Sequence, residues 1–234
     1  MNGRKGFTLI ELIVMVVLVA VLSTLLVVQM RHTRAPAGRA SCMNNARQIG
    51  LAMIQYAGDN DDRFPPLVDA SGNMVPAVDN EGVVSSLPAR SAFAVLLKQG
   101  YLFTTKVFIC RNSPDVMTPD TFPTDFKNAP LKDLVLKETE CSYGWDPTKG
   151  HSADATCAII ADKPRKTPGA EGTYENNTEN HSGEGQNVFY NDGHVKWATP
   201  TPKPDAGDDP DVYTGSTAPG SEYWKSTWDA KIIR

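Results

Sequence analysis

Arg4-Lys5-Gly6-Phe7-Thr8-Leu9-Ile10-Glu11-Leu12 opens an apolar run that reaches Val28 and holds only Ser23 and Thr24 as polar residues after Leu12. From Phe7 the run spans roughly 22 residues, or about 33 Å of helix, which is long enough to cross a bilayer. A secretory signal would carry a shorter apolar region, of roughly 7 to 15 residues, followed by a small-residue cleavage site, and neither feature is present. A plain anchor would also avoid Glu11. A carboxylate in hydrocarbon costs a few kcal/mol or more, so its place near one end of the run calls for a charge partner, and another copy of the chain can supply one. Arg4 and Lys5 hold the short head on the cytoplasmic side, so the chain after Met30 faces outward.

About 200 residues then lie outside the membrane, enough for one domain with its own core. The whole chain has 23 basic and 27 acidic residues; setting aside Arg4, Lys5 and Glu11 leaves 21 against 26. That mildly acidic balance argues against a dedicated nucleic-acid surface. Arg31, Arg34, Arg39 and Arg47 crowd the start of this region, where interfacial anchoring and helix packing account for them better than DNA contact.

Cys42, Cys110, Cys141 and Cys157 fall in a compartment that allows oxidation, so disulfides are preferred to metal binding by these thiols. Three connectivities are open. Cys42 with Cys110 and Cys141 with Cys157 are preferred, because Cys141 and Cys157 each open a strand-like run and a turn-rich stretch joins the two.

Pro36 and Gly38 predict a kink or short break after the apolar run. Helical spacing resumes over Ala40 to Ala57, where Ala46, Ile49, Met53 and Tyr56 form an apolar stripe for a sheet to cover. Gly58 to Asp62 stops it, Arg63 to Leu87 reads as loop, and Ser91 to Gln99 reads as a short helix with Ser91 as cap and Gly100 past its end. Strands are expected at Lys106 to Cys110, Cys141 to Trp145 and Thr156 to Ala161. Gln186 to Asn191 and His194 to Trp197 should form a hairpin about Asp192-Gly193, a turn in which both central residues take positive φ. The Pro-, Gly-, Ser- and Asp-rich chain from Ala198 onward reads as loop.

The stretch Arg4 to Leu12 resembles the type III signal of type IV pilins and type II secretion pseudopilins. The resemblance implies cleavage after Gly6 by a prepilin peptidase, methylation of the new amine at Phe7, and pairing of Glu11 with the N-terminal amine of a neighbouring subunit during assembly. An unpaired carboxylate in lipid is costly, so a partner supplied only by an adjacent subunit would favour polymerisation. A second resemblance lies further on. Cys42-Met43-Asn44-Asn45, Gln48 to Ala52, Tyr56-Ala57, Asp59 and Phe64-Pro65 are similar to the region after the anchor in prepilin-like proteins of the DUF1559 type. His181 with Asp192-Gly193 resembles their processing-associated motif of His, nine residues, then Asp-Gly; here ten residues intervene.

Two site chemistries compete with a structural role. His181, Glu184, Asp192 and His194 contain the donor types for a metal or a general base, but Asp192 and His194 are accounted for by the turn and returning strand, and no G-x-S-x-G order is present. Asp59, Asp61 and Asp62, with Asp205, Asp208, Asp209 and Asp211, supply hard oxygens that suit Ca²⁺, as in the C-terminal loop of major pseudopilins. The EF-hand spacing is absent, and solvated acidic loops are the preferred reading.

The expectation is an α+β, pilin-like fold in which a long N-terminal helix packs on an antiparallel sheet. Its parts are a leader (1–6), a transmembrane and polymerisation helix (7–30), the exterior half of that helix (31–58), a globular domain (59–197) and a loop-rich tail (198–234). The expected protein is a non-enzymatic filament or pseudopilus subunit, single-pass in the inner membrane, with its N-terminus cytoplasmic and its C-terminal domain periplasmic until assembly carries it to the surface. Its expected partners are other pilin-like subunits, the peptidase and the inner-membrane assembly machinery. The alternative is a membrane-tethered module that binds a glycan or secreted protein.

Overall fold

The computed structural model describes residues 8–77, 87–118, 122–146, 155, 157–166, 174–178 and 180–198. Gly6, Phe7 and all but the first residue of the expected tail lie outside them. The chain divides into two units, Met1–Gly38 and Arg39–Arg234. Helix α1 runs from Leu9 to Asp59 and is not interrupted at Pro36 or Gly38, where a break was expected. Proline removes one backbone donor, and the other helical hydrogen bonds on either side maintain the element. Among the described residues no helix is long and apolar enough to cross a membrane.

In the second unit, Cys42, Ala46, Ile49, Met53 and Tyr56 are buried, together with Ala52 and Ala57, so the expected helical stripe forms the core face of α1. Against it lies a four-stranded antiparallel sheet made of β3 (Tyr143–Trp145), β4 (Ala158–Asp162), β7 (Gln186–Tyr190) and β8 (Val195–Ala198), in the order β3-β4-β7-β8. Two small hairpins stand apart: β1 (Leu67–Val68) with β2 (Met74–Val75), and β5 (Pro164–Lys166) with β6 (Tyr174–Thr178). The α+β class read from the sequence is therefore the class of the fold.

The helix can approach the sheet closely because position 50 has no side chain. A Cβ on Gly50 would stand 2.2 Å from Cδ1 and 2.6 Å from Cγ of the buried Phe189 ring. Alanine gains about 1 kcal/mol over glycine within a helix, whereas overpacking a filled core costs roughly 1–3 kcal/mol or more. Gly50→Ala is therefore expected to lower the melting temperature in a thermal unfolding scan. A rise, which helix propensity alone would give, would reject the close contact.

Several local elements differ from expectation. Lys106 to Cys110 is not a strand: a 3₁₀ turn occupies Thr105–Phe108, and the Thr104 hydroxyl accepts from the Lys106 N–H at 3.3 Å. The apolar run is spent on packing, with Phe108 stacked on Phe93 at a centroid separation of 5.1 Å. The Ser91 hydroxyl accepts from the Val68 N–H at 3.0 Å rather than capping a helix. A 3₁₀ turn (Ala89–Ala92) leads into α2 (Phe93–Gln99), which ends on Gly100 at φ 82°. At the β7–β8 hairpin the Gly193 N–H donates to Tyr190 O and the Tyr190 N–H to His194 O, and only Gly193 has positive φ. The loop is thus Asn191-Asp192-Gly193, a three-residue turn closed by a glycine bulge, rather than a two-residue turn.

Candidate functional site

The two cysteine pairs behave differently. Cys42 on α1 and Cys110 are joined as a disulfide, with Cα atoms 5.0 Å apart, as expected. The expected Cys141–Cys157 bridge is not formed, and both remain buried thiols. The strand register explains this. β3 and β4 pair antiparallel with Tyr143 opposite Asp162 and Trp145 opposite Ile160, so Cys141 lies beyond the Asp162 end of the ladder and Cys157 beyond the opposite end. The Cys141 Sγ–H donates to Tyr143 O at 3.2 Å, and burial pushes this thiol up to about 11.

His181 is placed by a strained turn. It and Ser182 take φ values of 55° and 56°, a left-handed conformation that costs about 1–3 kcal/mol per non-glycine residue and must be held by its surroundings. The holding contacts are specific. The His181 N–H donates to Asn112 O at 2.8 Å. Its Nδ1 lies 3.2 Å from the Asn112 side-chain amide, and its Nε2 lies 3.3 Å from Asp162 Oδ2 and 3.5 Å from Cys110 Sγ. The Trp197 ring meets the imidazole edge-on at 5.0 Å. Arg39 from α1 stacks over Trp197 and forms an ion pair with Glu184.

Asp162, fully buried, gathers this layer. Its Oδ2 accepts from the Asn187 N–H at 2.6 Å and from Asn187 Nδ2 at 3.2 Å, and its Oδ1 accepts from Asn180 Nδ2 at 3.1 Å. A second buried carboxylate, Asp115, accepts from Lys163 Nζ at 2.6 Å and from Ser142 Oγ at 2.8 Å. The sequence reading gave none of these residues a part in a site. A signal was present for Asp162: it ends a strand, Ala158–Asp162, that is apolar throughout its first four residues, and a strand covered on both faces buries the acid at its end.

The four residues weighed as metal-type donors do not converge. His181 is in the core, Glu184 engages Arg39, and Asp192 turns back on its own hairpin, accepting from the His194 N–H at 3.0 Å with Nδ1 of that ring 2.5 Å away. The histidine and the Asp-Gly of the motif thus do separate work, one in the core and one at the turn. Of the acids considered for Ca²⁺, Asp59 accepts from the Tyr101 hydroxyl at 2.8 Å, Asp61 and Asp62 take left-handed conformations in the turn just past α1, and the tail acids lie outside the described residues. Among the described residues the one cluster of three metal-type donors is Cys42, Cys110 and His181.

In the first unit, Glu11 has local partners that the sequence reading missed. The Thr8 N–H and hydroxyl each donate to Glu11 Oε2 at 2.8 Å, and the Glu11 N–H lies 3.3 Å from Thr8 Oγ1. Thr8-Leu9-Ile10-Glu11 is a capping box, and the S/T-x-x-E pattern before an apolar run is its sequence sign. Around Glu11 the large side chains from Leu9 to Leu22 are between 51 % and 76 % exposed.

Comparison with known families agrees with both halves. Residues 1–27 match the prokaryotic N-terminal methylation motif, and residues 31–97 match a family described as a protein of unknown function, DUF1559. The two matches are those of a pilin-like protein with a prepilin signal followed by a DUF1559 region, and this chain is similar to that class over these residues. The motif implies processing by a prepilin peptidase and membrane-anchored export. No curated protein and no solved structure matches the chain.

Proposed function

We propose that this protein is a structural subunit of a prepilin-processed filament, either a type IV pilus-like fibre or a type II secretion pseudopilus. In this reading it is cut after Gly6, methylated at Phe7 and polymerised through α1. The observation that carries the reading is the exposed apolar surface from Leu9 to Leu22 around a single carboxylate. Such a surface requires lipid or other helices to cover it, and the apolar sequence continues to Val28, long enough for a span before assembly. The capping box refines the part played by Glu11. Two Thr8 donors lower the cost of its charge within one chain, and the amine of a neighbouring Phe7 supplies the opposite charge in the fibre.

Glu11→Gln tests this. An amide keeps an acceptor for Thr8 and enters lipid more readily than a carboxylate, so insertion, cleavage and folding of the exterior unit should persist. Incorporation should fall at least tenfold, read as the ratio of sheared extracellular protein to membrane-retained protein. Equal ratios in mutant and wild type would remove Glu11 from assembly and favour the tethered binding module, for which the groove bordered by Gly100, the exposed Phe103 and Phe126 offers a surface. Mass spectrometry of the mature chain must also find methylated Phe7 at its N-terminus. Any other terminus sinks the prepilin reading.

A further inference from the structure

The disulfide does not account for the whole of the cluster in which it sits. Cys42, Cys110 and His181 are all buried, and their ligand atoms lie within 4.8 Å of one another. Asp162 Oδ2 is beside the same imidazole nitrogen that faces Cys110, although the carboxylate stands outside the cluster of three donors that all lie close together. The residues come from four separate parts of the chain: helix α1, the segment after the Thr105–Phe108 turn, the end of β4, and the strained turn before β7. The strained backbone at His181 and Ser182 directs the ring into this group.

The two spacings about the His181 ring are those of a tetrahedral centre. With zinc bound to sulfur at about 2.3 Å, to nitrogen at about 2.0 Å and to oxygen at about 2.1 Å, neighbouring S and N ligands stand about 3.5 Å apart and neighbouring N and O ligands about 3.4 Å apart. Nε2 of His181 is 3.5 Å from Cys110 Sγ and 3.3 Å from Asp162 Oδ2. Two adjustments complete it: the sulfurs separate to about 3.8 Å, which they are released to do once the S–S bond is opened, and Asp162 turns toward them as the ion displaces Asn187 Nδ2, which lies 3.2 Å from both Nε2 and Oδ2. The surroundings suit the task. Asn112 Nδ2 is the amide atom 3.2 Å from Nδ1, and turning that amide over puts its oxygen there to receive Nδ1–H and leave Nε2 as the ligand atom. The Asn187 N–H orients the carboxylate.

We propose that Cys42, Cys110, His181 and Asp162 form a zinc-type site in the reduced chain, and that the Cys42–Cys110 disulfide is its oxidised alternative. A dithiol gives two electrons and two protons to the S–S bond and itself becomes a disulfide; a phosphine gives the two electrons and becomes its oxide, with water supplying the oxygen and the two protons. Binding of the divalent ion then displaces the two thiol protons. Oxidation by a disulfide donor reforms the S–S bond, releases the ion and leaves the donor as two thiols. Either state fastens α1 to the Cys110 segment, and the metal state adds the end of β4 and the His181 turn to the same fastening.

The test uses the full chain in detergent, reduced anaerobically with a phosphine and titrated with cobalt(II) as a spectroscopic stand-in for zinc. The reduced chain should take up one equivalent, with sulfur-to-cobalt charge-transfer absorption and the strong visible bands of a tetrahedral ion. Metal should raise its melting temperature, whereas the oxidised chain should give neither response. Cys141→Ser and Cys157→Ser should titrate as wild type. Cys110→Ser, left with the Cys42 thiolate alone, should lose at least half of the charge-transfer absorption, and Asn112→Ala should weaken binding about tenfold or more. X-ray absorption of the zinc-loaded wild type needs no variant to fold and should find two sulfurs and two lighter ligands. No thiolate–cobalt absorption in the reduced wild type, loss of the band on changing Cys141 or Cys157, or a zinc shell with any other sulfur count would overturn the site.

Discussion

Replacing Cys42 and Cys110 together by alanine should lower stability by about 4 kcal/mol, because the bond closes a loop of 68 residues and so restricts the unfolded chain strongly. For a unit of this size that corresponds to a melting temperature lower by roughly 8 to 16 °C. The comparison is made in a metal chelator, so that only the covalent link differs between the two proteins. Wild type treated with reductant in chelator should melt with the double variant. Cys141→Ala should behave differently: it removes a buried thiol from a packed position and leaves the cross-link intact, so its melting should remain sensitive to reductant. If reductant leaves wild-type melting unchanged in chelator, the Cys42–Cys110 bond is not a stabilising element of the exterior unit.

The second large effect is expected at Asp162. Its two oxygens receive hydrogen bonds from the Asn187 N–H, the Asn187 side chain and the Asn180 side chain, and His181 stands against it. Asp162→Ala removes the acceptor and leaves these buried donors to face a cavity. Breaking a buried charged network from one side in this way costs roughly 3–5 kcal/mol. Asp162→Asn should cost less, since one oxygen remains to accept. Urea unfolding of both variants checks the order: alanine more damaging than asparagine, and each less stable than wild type. Equal midpoints for all three would mean that the carboxylate does not organise the His181 layer. A loss confined to the alanine variant would assign the effect to the cavity rather than to the charge.

Much of the architecture was legible because it is written in local chemistry. The apolar run with Glu11 near its head, the stripe at Ala46, Ile49, Met53 and Tyr56, and the β7–β8 hairpin each follow from periodicity or a turn residue. Where the reading went astray, a longer-range partner had outbid the local signal. Val107 and Phe108 look like a strand, but stacking on Phe93 and the Thr104 cap made the segment a 3₁₀ turn. Ser91 looks like a helix cap, but the Val68 N–H in β1 claimed its hydroxyl. Cys141 and Cys157 look like facing strand starts, but in an antiparallel pair two starts lie at opposite ends.

By itself the sequence determined that a prepilin-type helix precedes an α+β unit, since the head charges, Gly6-Phe7, the position of Glu11 and the hydrophobic periods all act over a few neighbouring residues. Only the tertiary structure decided what His181 does. Its partners, Asn112, Asp162 and Cys110, lie 19 to 71 residues away along the chain, and no local pattern encodes a contact of that range. Packing brought them together: a helix drawn close to the sheet at Gly50, a covalent link from Cys42 to Cys110, and a backbone turn held in a strained conformation by the buried bonds around it.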